Sequence, residues 1–590
     1  MNRWVAVALL WMGCTTTTTE ESFHPVLTEA DLSAAPVGNA PAPPDELDLA
    51  LSPAVQGGNL TWTVTGANAN ETIYLIMSLG GLGAGPCPPV LNGDCLDITA
   101  PAGLLPVLTA DASGNATLTL PVPAVTNVDD VAYFQAVALR PGGAVTSEIR
   151  RTRISDGSAR VRVVHASSDA PAVDVYANGA LLVPDLAFGD ATPFVSTAGG
   201  PIDVELRAAG ASPTSPPAYA ESLSVNGAAD TTVVAAGSFG STNPFFSFRL
   251  VAFEEAWGAV ARDTFRTRIL HASPSTPGVT LDVGSDGVID VSGLFRFLPT
   301  DAEGVALPSD TSLSVTVGEL VSQAVLSSYQ LPAIPQEGEV LVIATGFRDN
   351  EPRSADALRL LAVFYDGTSA FIDQDPRLYA LHASPDAGNV SVSTGGAVVI
   401  PGFEFADLAG PLQVPSAAYD LDLTLDLGQP SLPPISAGPF TSPLLLPGDE
   451  ALLIAAGEVG AGSFQFIPVF ETMDFSGSDV PLQVVHACAD APAVDVGIVD
   501  ANGAFVPLLT DVVYGDVSPA DALIVPGGTY SFAVALAGDP NPLFTFPALD
   551  VVDGNRFIVV ASGSVAAGTF QLQLVDVASN PFSSVSVPPL

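Results

Sequence analysis

The chain contains no lysine: all 18 of its basic residues are arginine, set against 63 acidic ones, for a net charge of −45 over 590 residues. That balance argues against nucleic acid as a partner, because such binding depends on neutralising phosphates, and it disfavours docking on an anionic membrane surface. It also keeps a long exposed chain dispersed. Histidine and cysteine are nearly as scarce, at five and four residues. No H-E-x-x-H, G-x-S-x-G or C-x-x-C occurs, which removes the common metallopeptidase, hydrolase and redox signatures. Of four tryptophans, two lie within the first eleven residues, leaving Trp62 and Trp257 as stacking platforms for a sugar, with ten tyrosines to supplement them. Charged residues make up only 14%, too few for long solvated helices.

What is abundant is hydrophobic residues (48%), glycine (54) and proline (52), the composition of many short strands joined by turns. The length exceeds one core, and about 100–200 residues per domain gives roughly four to six domains.

Met1-Asn2-Arg3 followed by an apolar stretch from Trp4 to Met12 is shorter than the roughly 20 residues of a spanning helix and suits the core of a signal peptide. Gly13-Cys14 follows at once. Residues 1–14 therefore resemble a bacterial lipoprotein signal, which implies acylation of Cys14 and anchoring to a membrane. Trp11 stands where such signals usually carry leucine, and a plain cleaved secretory signal is the alternative. Residues 15–47, rich in Thr, Pro, Ala and acids, read as a disordered tether.

Four of the five histidines recur in one context: Val163-Val164-His165-Ala166-Ser167, Ile269-Leu270-His271-Ala272-Ser273, Ala380-Leu381-His382-Ala383-Ser384 and Val484-Val485-His486-Ala487-Cys488. Their spacings of 106, 111 and 104 residues describe tandem whole domains rather than a solenoid. A second landmark ends at Gly237, Gly346, Gly457 and Gly563, 72 to 77 residues after each histidine. Between them lie alternating runs such as Ile202-Asp203-Val204-Glu205-Leu206, the period of strands buried on one face. About seven strands in such a period is a sandwich count. The repeats are 158–262, 263–374, 375–478 and 479–590.

The segments Val163 to Val175 and Val484 to Val496, with Phe188-Gly189-Asp190 and Pro526 to Tyr530, resemble the bacterial secreted domain of unknown function 4397. The resemblance covers roughly 158–578 and implies extracytoplasmic β-sandwiches in tandem; it implies no chemistry. Residues 48–157 form a different module, whose Thr109 to Ala116 element resembles hairpins of bacterial immunoglobulin-like domains. The expected fold is all-β: about five tandem antiparallel, immunoglobulin-like β-sandwiches behind a disordered signal and tether.

A metal or catalytic site in the first repeat would draw on His165, Asp169 and Asp174, and in the fourth on His486, Asp490 and Asp495. The second repeat keeps His271 but has Ser275 and Thr280 in place of the acids; the third has His382, Asp386 and Ser391. One histidine per module with optional acids falls short of the three or four ligands of a zinc site, so the expected role is structural, the ring bonding the backbone of the following turn. Cys87 and Cys95 fit a disulfide outside the cytoplasm. Cys488 replaces Ser167, Ser273 and Ser384 and fits a small buried side chain. Gly81 to Gly85 lacks a Walker lysine, and Asp282 to Gly287 lacks the acid spacing of a calcium loop.

The sequence therefore reads as a non-enzymatic, exported protein of the outer membrane or cell surface of a Gram-negative bacterium. It holds the membrane through Cys14, needs no cofactor or metal, has no nucleic-acid partner, and acts as a scaffold or adhesin toward an envelope or extracellular partner. The alternative is an extracellular module protein that binds a polysaccharide or peptide.

Overall fold

The computed structural model describes residues 27–28, 45–336, 338–427, 434–473 and 479–590. The signal, Cys14 and the tether up to residue 44, apart from Leu27 and Thr28, lie outside these residues. Among the described residues, the turn of 3-10 helix Pro89–Leu91 is the one helical element in an otherwise all-strand chain.

In the first module, Asn59–Thr65 alternates buried with less buried positions between Asp45–Leu51 and Ala116–Pro121. Opposite it lie Thr72–Ser78 and Val131–Arg140 with their neighbours. Trp62 fills the space between, fully buried and edge-on to Phe134 at 5.3 Å.

Each repeat is two facing sheets. In repeat 1 the first sheet orders Val195–Thr197, Ala159–His165, Asp230–Ala236 and Arg249–Glu254, and the second orders Ala180–Leu186, Val173–Ala177, Gly200–Ala208 and Tyr219–Val225. Repeats 2 and 4 append a fifth strand to the first sheet, Ser369–Ile372 and Ser583–Val587. The expectation of wholly antiparallel sheets needs one correction. The histidine strand that opens each repeat runs parallel to the strand carrying the second landmark: Asp230–Ala236, Glu339–Thr345, Glu450–Ala456 and Phe557–Ser562 in turn. Parallel neighbours need a long crossover, and here the intervening second sheet supplies it.

Parallel strands are commonly covered on both faces, and these are. In repeat 1, Val161 and Val163 face the sandwich interior with Val175 and Leu206. Val164 and Ala166 face outward, into one core with Leu270, Ala272, Leu341, Ile343 and Leu361 of repeat 2. Repeats 3 and 4 join the same way, through Leu381, Leu452 and Ile454 against Val485, Ile558 and Val560. Phe582 from the added hairpin of repeat 4 stacks on Tyr379 of repeat 3 at 4.1 Å. The repeats are thus built in two back-to-back pairs, four sheets deep. Leu270, Leu341, Ile343 and Leu361 are fully buried, and at about 1.5–3 kcal/mol for each such side chain they outweigh any surface ion pair, worth about 0–1 kcal/mol.

The scarce arginines sit at the seams between these bodies. The first module meets repeat 1 through Arg153 with Asp230 (2.9 Å) and Arg160 with Asp129 (3.1 Å), and meets repeat 2 through Arg151 with Glu339 and Arg266 with Glu148 (3.4 Å). The Arg262 guanidinium pairs with Asp97, and Ile149 and Val260 exchange backbone bonds of 3.1 and 2.9 Å. The two pairs of repeats meet where Arg353 of repeat 2 reaches Glu471 of repeat 3, and Arg556 of repeat 4 reaches Glu351 of repeat 2. Glu351, Glu471 and Arg556 are all buried.

Removing one partner of a buried pair leaves a charge without compensation, at about 3–5 kcal/mol. Arg353→Ala should lower the unfolding free energy by that order, read as a lower denaturant midpoint at unchanged m. Burial already holds the Glu471 carboxyl above the usual carboxylate range, so the loss should shrink as pH falls and Glu471 takes up a proton.

Candidate interaction surface

The repeated histidines were the sequence's foremost site candidates, and their rings serve the backbone. His165, His271 and His382 place Nε2 against the carbonyl six residues on, Pro171 (3.2 Å), Pro277 (2.7 Å) and Gly388 (2.8 Å). In repeats 3 and 4, Nδ1 accepts the N–H two residues on, from Ser384 at 3.3 Å and Cys488 at 3.4 Å. Burial pushes all four imidazoles below their ordinary value of 6.5, which keeps them neutral at pH 7.

The neighbouring acids do not converge on these rings. Asp169 accepts from Ser238 Oγ (2.7 Å) and from the N–H groups of Phe239 (2.8 Å) and Gly240 (3.0 Å). Asp490 does the same for Ser564 (2.8 Å), Val565 (3.0 Å) and Ala566 (2.7 Å), and Asp386 for Val459 and Gly460, both at 2.8 Å. In repeat 2, Ser275 takes over by accepting the Arg348 N–H at 2.7 Å. These acids tie the turn after the histidine to the loop after the second landmark. Asp174 and Asp495 work in the second sheet. There they accept the N–H groups of Asp185 and Asp511 (each 2.9 Å), which sit at positive φ, and those of Gly210 (3.0 Å) and Gly538 (2.9 Å). Burial alone would raise the Asp490 carboxyl, but its hydrogen bonds prevail and hold it at about 2.

Cys87 and Cys95 are joined in a disulfide with Cα atoms 4.1 Å apart, closing the loop around Pro89–Leu91. Cys488 is fully buried; burial, aided by Asp490 at 3.1 Å, pushes its thiol up to about 12, a poor nucleophile. Asp282 accepts the N–H groups of Asp286 (3.1 Å) and Gly287 (2.8 Å) and so caps a turn. Among the described residues, no group of His, Cys, Asp and Glu is arranged to hold a metal.

A different surface gathers chemistry that the sequence reading passed over. The exposed phenylalanines among the described residues are Phe239, Phe245, Phe246 and Phe295, and they come from two adjoining loops of repeats 1 and 2. The loops are locked by reciprocal cation–π contacts: Arg249 of repeat 1 lies over Phe297 of repeat 2 at 4.3 Å, and Arg296 lies over Phe246 at 4.8 Å. Both guanidinium groups hydrogen-bond to backbone carbonyls, Arg249 to Ser247 and Pro244, Arg296 to Ser273 and Thr276. No carboxylate neutralises either one among the described residues. Burial, and after it the Arg249 charge, push Arg296 below the usual guanidinium value.

Two departures from the repeat pattern build this surface. The connection closed by the pairing Ala235↔Leu250 is longer than those closed by Ala455↔Phe466 and Ala561↔Leu572, and it carries Pro244-Phe245-Phe246. The second departure is in the element that donates a backbone N–H to the histidine carbonyl. Repeats 1, 3 and 4 use Gly189, Ala406 and Gly515 there, each followed by Asp, whereas repeat 2 uses Phe297 followed by Leu298. Phe297 holds φ +62°, an outlier for a bulky side chain that costs about 1–3 kcal/mol, and strain of that kind clusters at functional places.

The four neutral histidines set a pH dependence. An unfolded chain protonates them through pH 6.5 while the folded chain does not until lower pH, so their stabilising share is complete above 6.5 and is lost as pH falls below it. Glu450, raised by burial to about 7, has the opposite sign in repeat 3: there the folded chain takes up the proton first. Hydrogen exchange measured from pH 7.5 to 5 should show protection falling sooner in the opening strands of repeats 1 and 2 than in that of repeat 3.

The model of the domain of unknown function DUF4397 matches residues 159–282 and 376–497. Each match begins at the opening strand of one repeat and runs on through the opening strand of the next, across the seam that pairs them. An I-band fragment from titin aligns at 12% identity over 49% of this chain and 96% of the fragment, with a TM-score of 0.11, a value that carries no argument. No curated protein matches the chain. Two segments of this chain, one opening each back-to-back pair, thus match the DUF4397 model, consistent with DUF4397 repeats in tandem.

Proposed function

We propose that the chain is a non-catalytic, adhesin-like scaffold of the cell envelope, anchored by acylation of Cys14, and that the phenylalanine–arginine surface of repeats 1 and 2 is where it meets a protein partner. The observation that carries this reading is that surface itself. On a chain of net charge −45, it joins exposed aromatic rings to two cations left without carboxylates, the residue types that dominate interface energetics. Charge complementarity selects a partner offering carboxylates among apolar side chains. The neutral, backbone-bonded histidines support the non-catalytic part. A sugar-binding reading has less support: Trp62 is fully buried and Trp257 gives its indole N–H to Glu255 at 3.2 Å.

Two measurements test the two halves. Full-length chain expressed in a Gram-negative host and fed labelled palmitate should take up label that Cys14→Ala loses; label in neither form removes the anchor. Purified full-length chain should be retained on an immobilised glutamate–tyrosine copolymer more than on polyglutamate. Phe245→Ala combined with Phe297→Gly should cut that retention by about tenfold or more, the scale of losing interface anchors. Glycine suits the backbone at 297, so the variant should fold. Equal retention by variant and parent would count against the surface.

A further inference from the structure

One residue between Cys14 and the first strand is withdrawn from water. Leu27 precedes the strand Asp45–Leu51 by 18 residues, yet it is only 1% exposed. Chain outside a domain's elements is ordered where something ties it down, and here the tie lies on the outer face of the first module.

The strand Thr72–Ser78 is buried on both sides after its first residue. Ile73, Leu75 and Met77 enter the sandwich core with Trp62, whereas Tyr74 and Ile76 belong to a second apolar cluster on the other side. The loop that Cys87 and Cys95 close covers that side. Its arms are fastened by the Gly83 N–H to the Asp97 carbonyl and the Gly85 N–H to the Leu96 carbonyl, both at 2.9 Å. Leu91 and Leu96 of the loop, Ile76 and Val137 of the sheet, and Ile149 and Val260 of the seam with the repeats form this cluster, and Leu27 completes it. The Leu27 backbone also hydrogen-bonds the Tyr74 hydroxyl. A pocket for one side chain beside a main-chain hydrogen bond is a recurring way of holding an extended peptide.

We propose that the cleft between the disulfide loop and the outer face of Thr72–Ser78 is a peptide-binding site, and that its ligand is this chain's own segment at Leu27. The apolar cluster selects an aliphatic side chain at that position. Seating Leu27 also shortens the link to the N-terminus. Leu27 lies 13 residues past Cys14, and Asp45 lies 31 past it. At about 3.3–3.6 Å per residue, the chain from Cys14 reaches at most about 45 Å to the first and about 110 Å to the second. The consequence for the membrane rests on the anchored reading above: with Cys14 acylated, seating holds the module within less than half the distance that release allows.

The test uses the full-length chain and a protease that cuts after glutamate, with the fragments identified by mass spectrometry. Cutting after Glu29 requires Leu27 and Thr28 to lie in the protease cleft, so it is blocked while they are seated. Cleavage there should be at least about tenfold faster in Leu27→Asp than in the parent, the factor that burial of one leucine supports. Leu27→Met should stay as protected as the parent, and cleavage after Glu20 and Glu21 should be alike in all three. Should Leu27→Asp fail to fold by circular dichroism, Leu27→Ala should show a smaller acceleration in the same direction. Equal cleavage after Glu29 in the parent and the folded variant overturns the proposal, as does Leu27→Met cut as fast as Leu27→Asp. None of these readouts depends on acylation, so loss of the palmitate label would leave the peptide site standing.

Discussion

The architecture depends on a pair of parallel strands in each repeat that is buried on both faces. In an ordinary sandwich a strand puts one face inward and one toward water, and its sequence alternates accordingly. The strand Ala159–His165 has every residue buried, as does Val480–His486. Once its outer face carries valine, leucine and alanine, that face has to be covered, and the matching face of the next repeat covers it. Pairing follows from this, and so does the fixed place of the histidine at the strand's end, where an imidazole satisfies a buried carbonyl.

Pairing divides the remaining surface into seams and loops, and the exceptional residues are found there. The connection after the second landmark is elongated in repeats 1 and 2 relative to repeats 3 and 4. In repeat 1 the extra length presents phenylalanines. In repeat 2 it carries Glu351 and Arg353 to the second pair. A shared sandwich plan with variation in its connections is how loops acquire separate tasks on a common scaffold. The absence of lysine fits the same division: at buried seams the planar guanidinium meets carboxylates and backbone carbonyls together, as Arg162 does with Glu255, Thr232 Oγ1 at 2.7 Å and the Phe364 carbonyl at 2.9 Å.

Much of this was legible in the sequence. The histidine and glycine landmarks stood out because each satisfies a strict local condition; a Cβ at Gly346 would lie 1.9 Å from the Ala357 carbonyl oxygen at φ +81°. Period-2 alternation marked Ile202 to Leu206 as a strand, and the spacing of Cys87 and Cys95 allowed their bridge. Parallel pairing was hidden, because alternation reports which face is buried and says nothing about which strand lies alongside. The doubled apolar runs Val163-Val164 and Ile269-Leu270 held the clue to back-to-back packing, since adjacent residues point to opposite faces. The phenylalanine–arginine surface was missed because aromatic residues were weighed as Trp and Tyr platforms for sugars. Its signal was present as Arg296-Phe297-Leu298 in the place where the sibling repeats have an aromatic residue, then Gly or Ala, then Asp.

The central claim is that the repeats are stable as back-to-back pairs, and hydrogen exchange on a variant of the full-length chain tests it most directly. Leu341 belongs to repeat 2, is fully buried, and lies in the core shared with repeat 1. Leu341→Ala should cost about 2–5 kcal/mol, and the account predicts that protection falls in the repeat 1 strand Ala159–His165 as well as in Thr264–His271. A loss confined to repeat 2, with Ala159–His165 protected as in the parent chain, would contradict it.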